Sequence, residues 1–127
     1  SEQLSAINDA IAELPREFKE CVNKSKGTKS PVIRPTIEEM NLTDPSEAIR
    51  SAEILPLLTR VFDVLEVRGC GGSLLHLLLE DIAGNFSDNN PESMRYLESL
   101  FALEDHLIQS GQLQHDFAVI IARKRAE

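Results

Sequence analysis

Tryptophan is absent from this 127-residue chain and aromatic residues make up only 5% of it, so leucine, isoleucine and valine must supply most of any interior. Cysteine is nearly absent too. Cys21 and Cys70 cannot build a disulfide framework, and a pair of thiols fits a reducing compartment, so the expected location is cytoplasmic. Cationic residues are outnumbered, 13 Lys and Arg against 21 Asp and Glu, which leaves a net charge of −8 that repels phosphate backbones. The one basic run, Arg123-Lys124-Arg125, reads as cations at a helix C-terminus, where they meet the negative end of the helix dipole. A nucleic-acid partner is therefore not expected. The chain shows no charged-then-apolar leader and no apolar run of about 18 residues, so neither a signal peptide nor a membrane partner is expected. Alternating runs bounded by turns are missing as well, and nothing recurs with a period of 20 to 50 residues.

Helical spacing is what remains. The reading is an all-α fold, a single-domain bundle of five or six helices over residues 1–127, organised around a Leu-rich helix at about 73–83 and interrupted by a flexible loop at 25–35. Leu4, Ile7, Ile11, Leu14 and Phe18 recur at steps of three and four, which predicts a first helix over about 2–24 that kinks or restarts at Pro15. That stripe either packs on its own domain or forms the seam of a homodimer. Residues 25–35 join small polar residues to two prolines, the composition of a loop. Thr36-Ile37-Glu38-Glu39 has capping-box spacing and predicts a short helix. Asp44-Pro45-Ser46-Glu47 combines an N-cap acid, proline at the first helical position and Glu at the third, and predicts a long helix running to Arg68-Gly69.

Beyond Gly69, Leu74, Leu75, Leu77, Leu78 and Leu79 leave only His76 and the Glu80-Asp81 end polar, so neighbours should surround this helix. Asn90-Pro91 marks a further helix start. Its apolar stripe runs through Leu97, Leu100, Phe101, Leu103 or Glu104, Leu107 and Ile108 to a stop at Ser110-Gly111. A last helix is expected over about 112–125, burying Leu113, Phe117, Ile120 and Ile121.

Two places could carry chemistry. The turn of Gly71, Gly72 and Ser73 at a predicted helix N-terminus offers backbone N–H groups and a positive dipole end to an anion, with Ser73 as the N-cap. It lacks the P-loop lysine, and no strand is expected before it. His76 and Glu80 lie four apart on one helical face and, with Asp81, are the candidate metal ligands, though zinc or iron needs more groups than these. No cofactor is implied. The function expected from these features is a non-enzymatic protein–protein interaction module of adaptor, inhibitor or immunity type. Its partner would be another protein or a second copy of the chain. The alternative is a small helical metal protein or metal-dependent enzyme centred on His76 and Glu80.

Overall fold

The computed structural model describes residues 1–34, 38, 39 and 51–126. Five α-helices and one two-stranded antiparallel sheet occur among them, so the fold is mixed and not the all-α bundle expected from the periodicity. Their contacts divide the chain into two units, Ser1–Ile33 with Cys70–Phe117, and Arg34–Gly69 with Ala118–Glu127. The predicted starts at Thr36 and Asp44 lie outside the described residues.

In the first unit, α1 spans Glu2–Glu13 and is capped by Ser1, whose hydroxyl accepts from the Leu4 N–H at 3.3 Å. Proline explains where it stops. Leu14, the residue before Pro15, is extended at φ −69° and ψ 140°, because proline's ring disfavours the helical region for its predecessor. The helix therefore restarts as α2, Arg16–Lys19. Ile7, Ala10, Ile11, Leu14 and Phe18 all point inward. The Phe18 ring lies 5.8 Å from Phe86 and 5.3 Å from Tyr96, a small aromatic cluster in a chain poor in aromatics. Val32 is held beside α1, where the Asn8 amide donates to the Val32 carbonyl at 3.0 Å and accepts the Val32 N–H at 2.7 Å.

The second unit contains α3, Ile54–Val61, which carries Pro56 in its first turn, where a missing N–H breaks no helical bond. It passes directly into β1, Phe62–Gly69, which pairs antiparallel with β2, Ala118–Lys124. The register runs from Phe62 opposite Lys124 to Gly69 opposite Ala118. It slips between Val64 and Glu66, leaving Leu65 as the extra residue of a bulge. These strands replace the end of one expected helix and about half of another. Phe62, Val64, Val67, Val119, Ile120 and Ile121 are aromatic or β-branched, stiff at χ1 and at home on a pleated surface, and that preference outweighed the three-and-four spacing. Arg125 ties the unit together by donating to the Thr59 carbonyl at 2.6 Å and to the Asp63 carboxylate at 3.3 Å.

Back in the first unit, α4 spans Leu75–Leu79 only, shorter than the 73–83 expected. Its C-terminus is closed by a lysine: the Lys29 ammonium donates to the Leu77 carbonyl at 3.0 Å and the Glu80 carbonyl at 2.8 Å. Asp81, at φ +69°, then turns the chain. Leu74, Leu78 and Ile82 nevertheless lie fully buried, in one core with Ile7, Ile11, Leu14 and Leu100. The longest helix, α5, spans Pro91–Gln109 with Asn90 as N-cap and Pro91 at its first position, and Gly111 at φ +81° follows its end. No helix among the described residues is long and apolar enough to cross a membrane.

Candidate functional site

The glycine turn is where sequence and structure converge on polar chemistry, and the groups that complete it come from two distant segments. Gly71 and Gly72 stand at φ +74° and +87°, a left-handed pair that side chains resist. Contacts reinforce the requirement. A Cβ at Gly71 would strike the Glu104 carboxylate, and one at Gly72 would strike the Phe117 ring.

This bend aims a series of N–H groups at one acid. The Gly72 N–H donates to Glu104 Oε1 at 2.9 Å, while those of Leu74 and Leu75 donate to Oε2 at 3.0 and 2.9 Å. Glu104 is only 5% exposed, so the carboxylate of α5 fills the anion position at the start of α4. Next to it, the Gly71 N–H donates to His115 Nδ1 at 2.8 Å, and the Gly71 carbonyl accepts from the Asp116 and Phe117 N–H groups at 3.0 and 3.1 Å. Gln3, reaching from α1, donates to the Ser73 carbonyl at 2.9 Å and to the Asp116 carboxylate at 2.8 Å.

Ser73 does not serve as the cap. Its hydroxyl is buried without a hydrogen-bond partner, and the capping role falls to Glu104. The sequence carried one signal of this: Glu104 occupies a place in the apolar stripe of α5, between Leu100 and Leu107, where the next core residue belongs. A carboxylate at such a position must find donors, and a glycine turn can supply them.

The candidate metal ligands are not assembled in this way. His76 is exposed and meets the Phe117 ring edge-on at 5.1 Å, and Glu80 faces solvent. Asp81 accepts a hydrogen bond from Lys26 at 2.9 Å. That bond, opposed by desolvation and aided by the attraction between the two charges, holds the Asp81 carboxyl below its ordinary range and pushes Lys26 above its own. No group of three or more His, Cys, Asp or Glu side chains suited to a metal ion occurs among the described residues. Cys21 is buried, Cys70 is exposed, and no disulfide joins them. Of the proposed seam residues, Leu4 is half-buried, while Ile7, Ile11, Leu14 and Phe18 lie within the first unit's interior.

Compared with protein-family models, curated proteins and solved structures, the chain matches none.

Proposed function

We propose that this chain is a non-enzymatic protein-interaction module, working in a reducing cytoplasmic environment, whose binding surface includes the second unit. One observation carries the reading. Leu57, Val61, Leu65, Val67, Val119 and Ile121 are each between 48% and 62% exposed on one short helix and one two-stranded ribbon. Isolated surface leucines are ordinary, but a ribbon that exposes apolar side chains on both faces, Val119 and Ile121 on one and Val67, paired with Ile120, on the other, marks a surface that another macromolecule covers. Among the described residues no third strand pairs with the ribbon, and an unpaired edge accepts a further strand from a partner chain. The best-organised polar group of the first unit, the Glu104 carboxylate, supports the same reading, because its oxygens are turned onto backbone N–H groups and not toward a substrate.

The partner is another protein or a second copy of the chain. Tagged chain recovered from its native host, beside a Val119→Asp, Ile121→Asp variant, tests this. A defined partner, or self-association seen by light scattering, should be present with the natural sequence and lost in the variant. A monomer that retains no protein in either form would overturn the reading.

A further inference from the structure

The first unit carries a second surface with a different chemistry. Between α1 and α5 lies a cavity of about 390 Å³, whose floor includes Ala6, Ala10, Leu103 and Leu107. A neighbouring cavity of about 370 Å³ shares Ala10, Glu13 and Leu103 with it, and extends the space toward Leu14 and Tyr96. Small side chains open this groove. At positions 6 and 10, α1 presents only methyl groups toward the leucines of α5, so the helices leave room that a larger aliphatic pair would fill.

Its rim is of one sign. Glu2, Asp9 and Glu13 line the first cavity, all three are exposed, and no lysine or arginine lines either cavity. Among the described residues these three carboxylates have no ion-pair partner. The surrounding unit adds to their field, with six Lys and Arg against thirteen Asp and Glu in its two segments. Glu2 and Glu13 are separated by eleven positions of α1, roughly 16 Å of helix at about 1.5 Å per residue.

From the apolar floor and acidic rim we infer that this groove binds a basic amphipathic segment of a partner protein, with an aliphatic side chain seated over Ala6 and Ala10 and lysine or arginine facing Glu2, Asp9 and Glu13. A neutral apolar peptide would gain the floor but leave three carboxylates partly desolvated without a counter-charge. A purely basic peptide would gain the rim and leave the floor wet. Only the combination satisfies both. The surface is distinct from the ribbon and rests on different residues, so either can fail while the other stands.

The absence of tryptophan allows a direct test. A leucine–lysine peptide with helical spacing and one tryptophan supplies the only indole emission, which shifts to the blue when the ring is buried. Binding to the full chain should weaken about tenfold or more in an Asp9→Lys, Glu13→Lys variant. Asp88→Lys, Glu98→Lys, with the same net charge but outside the groove, should change it by less than about threefold. Ala6→Phe, which fills the floor without altering charge, should also weaken binding about tenfold. Val119→Asp, Ile121→Asp should leave it unchanged, separating this site from the ribbon. Equal weakening by the two charge-reversal pairs would mean attraction to net charge alone and would overturn the inference. So would undiminished binding to Ala6→Phe, with the fold of each variant checked by circular dichroism.

Discussion

The two units use similar apolar residue types to opposite ends. In the first, Ile7, Leu74, Leu78 and Ile82 are wholly enclosed, and even a glutamate is drawn inside. In the second, no described residue is buried, although α3, β1 and β2 are at least as rich in leucine, isoleucine and valine. Layering makes the difference. The first unit packs four helices against one another, so each apolar stripe meets another stripe. Among its described residues the second offers one eight-residue α-helix and two strands, and a two-stranded ribbon has too little surface to enclose its own side chains. Apolar content alone therefore says little about burial; what decides is whether enough elements converge on one place.

Removing the buried acid should do the greatest damage on the first side of that comparison. Glu104→Ala strands the N–H groups of Gly72, Leu74 and Leu75. It should cost on the order of 4 kcal/mol, since each buried donor left unpaired costs about 1–3. Glu104→Gln keeps the shape and one acceptor, and should cost about half as much. Urea unfolding measures the loss, and amide exchange at 72, 74 and 75 should accelerate more than elsewhere in the unit. A loss below about 1 kcal/mol for the alanine variant would show that the turn holds itself together.

The next effect sets the units side by side. Leu78→Ala, at a fully buried position, should cost about 3 kcal/mol through lost transfer energy and the cavity left behind. Leu65→Ala, at a residue 57% exposed on the bulge of β1, should cost less than about 0.5 kcal/mol in the isolated chain. Comparable losses would remove the contrast, because Leu65 would then be covered in solution. A small loss for Leu65→Ala alone, growing when the partner is present, would sharpen it.

Much of the first unit was legible in the sequence, because its signals are local. Asn90-Pro91 started α5, Gly111 followed its end, and Pro15 divided the first helical stripe, each through a backbone preference of a single residue. The α4 boundary was not legible, since the group that closes it, Lys29, lies about fifty positions earlier and carries no local mark of that role. The strands were misread for a related reason. Leu58, Phe62 and Leu65 satisfy helical spacing, and only pairing with residues 118–124, far along the chain, selects the extended form. At the glycine turn the sequence shows the donors but not the acceptor they meet: Glu104 stands out only as an acid within an apolar stripe, and it takes the fold to bring that acid to the turn.

The smallest expected effect belongs to a pair at the first unit's edge, where solvent weakens charge. Lys26 and Asp81 are hydrogen-bonded at 2.9 Å, and both remain accessible to water. Asp81 is lowered from an ordinary 3.8, so its contribution is present above that value and is lost as pH falls through the lowered one. Lys26 is raised from an ordinary 10.5, so its contribution is present below that value and is lost as pH rises through the raised one. The pair therefore acts across the whole neutral range and disappears at both extremes. Lys26→Met should move the Asp81 titration, followed by carboxyl NMR, upward toward its ordinary value, with Lys29 still exerting a weaker downward pull. Thermal stability at neutral pH should scarcely change, because exposed pairs are screened and must order two side chains. An unmoved Asp81 titration would mean that the left-handed turn at that residue, and not the ammonium, sets its acidity. A large thermal loss would instead assign Lys26 a packing role against the core, and the boundary between the unit's enclosed interior and its solvated edge would have to be drawn further out.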